Sequence, residues 1–323
     1  MKLYPLKFSS LFFYRIWGGE KLKTILNKNY NENSIGESWE ISDIDESETM
    51  VAEGALKGKT LKQLIHTFKG DFVGGKVYDV FGENFPLLIK FIDAKAPLSI
   101  QVHPSDALAK ERHNSFGKNE MWYVMQAESD AELIVGFNQK VKRESYIDHL
   151  DNSALTKILN IEKVTKGDTF NIPAGRVHAI GAGVLLAEIQ QTSNITYRIY
   201  DYDRLDTKTG EKRELHTDLA LDAIDFEFYN NYKITYNCKE NKSNKLVHSS
   251  YFKTNIIIIK GVLEKNYANL DSFVIYMCVE GSGKIECNNK SYNIGLGETI
   301  LLPACIDQVK IEAKSTILLE IYL

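Results

Sequence analysis

The sequence predicts a mainly β fold: two jelly-roll-like barrels in succession, with helical insertions confined to the first half. Three observations carry that expectation. Short segments rich in β-branched and aromatic residues recur between turn signals along most of the chain. Helical periodicity is limited to five stretches, all before residue 230. An internal echo links the halves. Gly167-Asp168 opens an apolar strand ending at Pro173, and Gly297-Glu298 opens one ending at Pro303. Upstream of each, MQAE at 125–128 resembles MCVE at 277–280.

Taken in order, the helical stretches are residues 20–28, 60–68, 105–114, 140–160 and 217–226. Apolar residues at three- and four-residue spacing define the first two, and Thr60 is a fitting N-cap for the second. Ser105 or Asp106 caps the third, which stops near Gly117. Between them, residues 86–92, 121–125, 131–135, 184–189 and 195–200 read as strands. After about Asn231 the helical signals cease, and strands are expected at 232–236, 254–263, 272–279, 283–287, 299–302, 308–311 and 316–322. Such regular spacing suits an antiparallel sandwich or barrel. The polar run CKENKSNK at 238–245 marks the boundary, giving units of 1–235 and 236–323.

The 323-residue composition, 44% hydrophobic and 25% charged, excludes disordered and coiled-coil classes. A net charge of -4 without a basic run argues against nucleic-acid or anionic-membrane partners. Arg15 interrupts the apolar N-terminal stretch. The longest apolar run, 256–259, is strand-sized, so no membrane span is expected. Cys238, Cys278, Cys287 and Cys305 form no CxxC pair and read as reduced thiols, mostly core filler, in a cytoplasmic protein. No phosphate loop or strand-linked GxGxxG occurs, and Gly74-Gly75-Lys76 reads as a turn, which argues against ATP or NAD.

The residues with chemistry cluster in the first half. Gln101 and His103 lie two apart on an extended segment (PLSIQVHP), so their side chains share a face. Glu120 opens a later strand, and His178 follows a Pro-x-Gly turn. Two imidazoles, a carboxylate and an amide oxygen on neighbouring strands suit zinc or another divalent ion. Gly167, Pro173, Gly175 and His178 also reproduce the second motif of the cupins. In the first motif, Gln101 replaces a histidine and Glu120 is delayed by an inserted helix. The second half has Gln308 where His178 would fall, so one metal site per chain is expected. The other histidines read as ordinary polar residues.

Longer strings extend the likeness: RIWGG at 15–19, GESWEIS at 36–42, FPLLIKFIDAKAPLSIQVHP at 85–104, KNEMWY at 118–123, IPAGRVHAIG at 172–181, YRIYDYDR at 197–204 and RELH at 213–216. Through them the chain resembles type I mannose-6-phosphate isomerase in its short bacterial form. That resemblance implies one Zn2+ held by Gln101, His103, Glu120 and His178, with Arg198 at the active site. It implies interconversion of mannose 6-phosphate and fructose 6-phosphate, the partner being a small sugar phosphate. Lys118, two residues before Glu120, and Glu188, ten before Arg198, are the candidate bases. A Lys beside a metal and an Arg is expected to have a depressed pKa, or alternatively to contact phosphate or hydroxyl. Arg198 offers a planar fork for phosphate or enediolate. Ser99 sits on the same face as Gln101, and Trp17 is the pocket candidate among the tryptophans, with Trp39 and Trp122 assigned to packing. Asp201, Asp203 and Arg204 read as residues fixing the loop that bears Arg198. Two other classes stay open on these residues alone: an oxygen-activating non-haem iron cupin and a non-catalytic sugar-binding cupin.

Overall fold

A computed structural model describes residues 2–323. A six-stranded sheet runs Thr169–Ile172, Glu120–Ala127, Val184–Gln191, Leu87–Ala94, Leu11–Gly19 and Ile35–Ile41 in spatial order. A five-stranded sheet runs Leu159–Lys163, Glu132–Phe137, His178–Ile180, Ile100–Val102 and Tyr197–Tyr200. The C-terminal sheet runs Ser243–His248, Lys253–Asn266, Gln308–Tyr322, Val274–Cys287 and Lys290–Gly295, with Thr299–Leu302 paired to Val274–Cys287. The fold is mainly β, as expected, but none of these sheets closes on itself, so the expected barrels are open sheets packed face to face.

Strand alternation explains the layering. Leu87, Ile89 and Phe91, with Met121, Tyr123, Met125, Leu185, Ala187 and Ile189, point to one side of the six-stranded sheet. There they join Phe273, Ile275, Met277, Leu301, Leu319 and Ile321 of the C-terminal half in one core. The intervening residues Ile92, Trp122, Val124 and Leu186 point the other way and pack on Leu133, Val135 and Ile180 of the five-stranded sheet. A strand buried on both faces reads as a continuous apolar run, which is why Leu87–Ala94 shows no polar alternation. Beyond the five-stranded sheet, Tyr146 of helix Arg143–Asp151 and Ala220 of helix Thr217–Ala223 close a further core.

Several elements differ from expectation. Thr60 caps helix Leu61–Phe68 with Gln63 completing a capping box, and Ser105 caps helix Asp106–His113. The first stretch yields only Lys21–Thr24. Residues 140–160 split into a helix, a 3-10 turn at Leu155–Ile158 and the start of strand Leu159–Lys163. Gly74, at φ +103, bridges two short helices, Gly70–Val73 and Gly75–Phe81, that replace the expected turn. No strand forms at 232–236. Tyr232 instead plugs the space left by Gly136 and bonds both backbone groups of Phe137. Strand Ser243–His248 lies within and beyond the polar run taken as the boundary. Cys278 and Cys287 are buried, whereas Cys238 and Cys305 are exposed; all four are free thiols. Among the described residues, no helix is long and apolar enough to cross a membrane.

Candidate metal centre

The open faces of the two N-terminal sheets enclose a cavity of about 390 Å³. On the five-stranded sheet, Arg198 pairs with Gln101 and Gln101 with His178, so three site residues form one row across three strands. On the six-stranded sheet, Trp122, Glu188, Lys90 and Trp39 form a second row. His103 follows Ile100–Val102, and Glu120 opens its strand. The turn before His178 depends on Gly175 at φ +89, a conformation costly for any side chain.

His103, Glu120 and His178 are buried, with ligand atoms within 4.8 Å of one another. His103 Nε2 lies 3.4 Å from Glu120 Oε1, and His178 Nε2 lies 3.6 Å from Oε2. Both rings are oriented from behind: the Nδ1 atoms pair with the carbonyls of Ile195 at 2.9 Å and Arg176 at 2.8 Å, leaving both Nε2 atoms facing the carboxylate. Burial, with Lys118 adding to it, pushes the His103 imidazole down to about 3, and burial also lowers His178. Both rings are therefore neutral, as a metal ligand must be. Burial pushes the Glu120 carboxyl up, but Lys118 and His103 outweigh it and hold it well below the usual carboxylate range. Neither Glu120 oxygen has a hydrogen bond of good geometry; the cation already paired with this buried carboxylate is the Lys118 ammonium. The Lys118 ammonium stands beside this donor set, 2.7 Å from Glu120 Oε1 and 3.2 Å from His103 Nε2.

Gln101 completes the ring of donors, with Nε2 3.3 Å from His178 Nε2 and Oε1 3.3 Å from the Ser99 hydroxyl. Ligation by its oxygen requires the amide turned over, which the Ser99 hydroxyl tolerates because it both donates and accepts. The donor set thus fits a divalent cation.

The expectation that Lys118 has a depressed pKa is corrected. Burial pushes it down, but the Glu120 and Glu188 carboxylates prevail and hold the ammonium above the ordinary lysine range. Glu188 Oε2 accepts from Trp122 Nε1 at 2.9 Å, and Oε1 lies 3.2 Å from Lys90 Nζ. Burial and the Glu120 charge push Glu188 up, against Lys90 and Lys118. Arg198 lines the cavity with Trp17 and Ser99, its NH1 on the Glu214 carbonyl at 2.7 Å and its Nε unpartnered. Asp201 holds Arg204 and Arg213 at 2.5 and 2.6 Å and so fixes the adjoining loop. Trp122 lines the cavity too, edge-on to His178 at 5.3 Å, rather than serving packing alone.

Sequence reasoning missed Arg15, Glu37 and Lys90, all on the cavity wall. Arg15 grips Glu37 through Nε at 3.0 Å and NH2 at 3.1 Å, and Trp39 Nε1 donates to Glu37 at 2.7 Å. Burial raises the Glu37 carboxyl, but Lys90 and Arg15 bring it down to about 2. A signal was present: Lys90 interrupts the apolar run from Leu87 to Ile92, and a lysine is almost never fully buried without a partner.

A mainly β fold with a buried His-Glu-His cluster beside a charged cavity defines a cupin with a group that could hold a metal ion. The model for the catalytic domain of type I phosphomannose isomerase matches residues 6–139, and that for the mannose-6-phosphate isomerase cupin domain matches 242–321. The chain belongs to the type I phosphomannose isomerase family. It is 32% identical to Bacillus subtilis mannose-6-phosphate isomerase ManA over 95% of this chain and 96% of that one. The Streptococcus mutans mannose-6-phosphate isomerase is 33% identical over 94% and 93%. A crystal structure of the B. subtilis mannose 6-phosphate isomerase superposes with a TM-score of 0.89 at 32% identity, covering 99% of both chains.

Proposed function

We propose that this protein is a zinc-dependent mannose-6-phosphate isomerase that moves a proton between C2 and C1 through an enediol. The observation that carries the reading is the Glu120 carboxylate, without a hydrogen bond of good geometry, between two neutral imidazoles and beside a cavity lined by His178, Arg198, Lys118 and Glu188. His103, Glu120, His178 and Gln101 would hold the zinc ion, one per chain. Bound there, a divalent cation supplies Lewis-acid polarisation of the sugar's carbonyl oxygen.

The chain's own residues supply the rest. Lys118, kept protonated between two carboxylates, donates to a substrate oxygen. Glu188 takes the carbon-bound proton, since its Oε1 has no hydrogen bond of good geometry and burial raises its basicity. Arg198 receives the phosphate with its unpartnered Nε, while Ser99 and Trp17 shape the wall. Residues 1–235 would form the catalytic unit and 236–323 a cupin-like unit without metal ligands, each a jelly-roll derivative; the cavity lining ends at Arg213.

Gln101 tests the electrostatic part of this reading. As a neutral ligand it leaves the ion's positive charge intact. Gln101→Glu is expected to bind zinc at least as tightly yet turn over roughly 10-fold or more slowly, about 1.4 kcal/mol. Steady-state kinetics beside a zinc titration checks this, and unchanged turnover would contradict it.

A further inference from the structure

Asn119 lies between Lys118 and Glu120, is 7% exposed, and makes more side-chain hydrogen bonds than a spacer needs. Its backbone N–H and its Nδ2 both donate to Gln191 Oε1, at 3.0 and 2.6 Å. Its Oδ1 accepts from the Ala174 N–H at 3.0 Å, inside the turn that delivers His178. Its carbonyl accepts from the Gln191 N–H at 3.1 Å. Gln191 Nε2 in turn donates to Asp106 Oδ1 at 3.0 Å, which also accepts from the Gly117 N–H at 2.8 Å. Asp106 stands three residues after His103, and the Gly175 N–H donates to the His103 carbonyl at 2.9 Å. All three segments that carry His103, Glu120 and His178 thus meet at one amide pair.

We propose that Asn119 and Gln191 form a clamp that positions Glu120, His103 and His178 for metal. This rests on the metal reading of the site. The physical reason is that ligand convergence is a matter of tenths of an ångström, and the three ligands sit on separate loops and strand ends. Buried amides whose nitrogen and oxygen are each partnered hold such ends at fixed separation, because any slip leaves a buried donor or acceptor unpaired. None of these clamp residues touches the cavity, so they are positioning residues rather than ligands.

The test is zinc affinity by competition with a chromophoric chelator on the full chain, with thermal unfolding of the metal-free protein alongside. Asn119→Ala and Gln191→Ala are each expected to weaken zinc binding about 10- to 100-fold, the range for outer-shell partners. The double variant should be little worse than either single one, since each breaks the same unit. A merely structural role would lower melting temperatures and leave the zinc affinity of the folded protein alone. Zinc affinity within twofold of the wild type in Gln191→Ala overturns the clamp, even if Asn119→Ala fails to fold. A wild-type protein that binds no zinc overturns the metal reading itself, and the clamp with it.

Discussion

Replacing Glu120 with glutamine is expected to lower kcat/KM by roughly 10³-fold, about 4 kcal/mol of transition-state stabilisation. The substitution keeps shape and one acceptor oxygen, so the strand and cavity should persist. What it removes is the one carboxylate in the donor set, and with it the anion that faces both imidazoles and Lys118. Gln101 is neutral and the histidines are neutral, so a divalent cation would then sit among neutral ligands, with Glu188 and Glu37 the remaining carboxylates of the cavity. Lys118 would lose its Glu120 partner and keep the Glu188 and Glu37 charges. Kinetics with mannose 6-phosphate, beside metal content per chain, checks this. Turnover within tenfold of the wild type at full metal content would show that Glu120 is not a ligand.

Lys90→Met has the second large effect, and it is on stability. Lys90 is 3% exposed and lies 3.2 Å from Glu188 and 3.9 Å from Glu37, over the Trp39 ring at 5.1 Å. Its ammonium offsets two buried carboxylates. Methionine fills a similar volume but leaves Glu188 without a nearby cation other than Lys118, and breaking a buried pair from one side costs about 3–5 kcal/mol. The sign of the pH dependence follows. Glu188 is already pushed above its ordinary value in the wild type, and the variant raises it further. A carboxyl raised in the folded state favours folding at low pH and loses that advantage as pH rises past its unfolded value. The deficit of Lys90→Met should therefore be largest at neutral and alkaline pH and shrink towards pH 4–5. Adding Glu188→Gln should return much of the loss while leaving the protein inactive. Urea unfolding at several pH values tests this, and a deficit independent of pH would show that Lys90 acts only through packing.

The grouping of His103, Glu120 and His178 was legible because its signal is local. Period-two geometry puts Gln101 and His103 on one face, and the Pro-x-Gly turn presents His178. The capping box at Thr60 and the cap at Ser105 were legible for the same reason. What stayed hidden depends on register between strands far apart in the chain. Nothing near Lys90 names Glu188 as its partner, or Arg15 as the partner of Glu37; pairing across the six-stranded sheet brings them together. Two strand breaks were expected, at residues 280–282 and 312–315. There the chain instead absorbs the irregularity as bulges, with register shifts between Cys278 and Glu280 and between Ser282 and Lys284, so Val274–Cys287 and Gln308–Tyr322 run on. The first two residues of strand Leu159–Lys163 were taken into a helix because its edge position leaves alternate residues polar.

Isomerisation of mannose 6-phosphate, followed in protein stripped by a chelator and again after zinc is returned, tests the central claim most directly. The account predicts that activity disappears with the metal and returns with one zinc per chain. Activity that survives verified removal of all metal would contradict it.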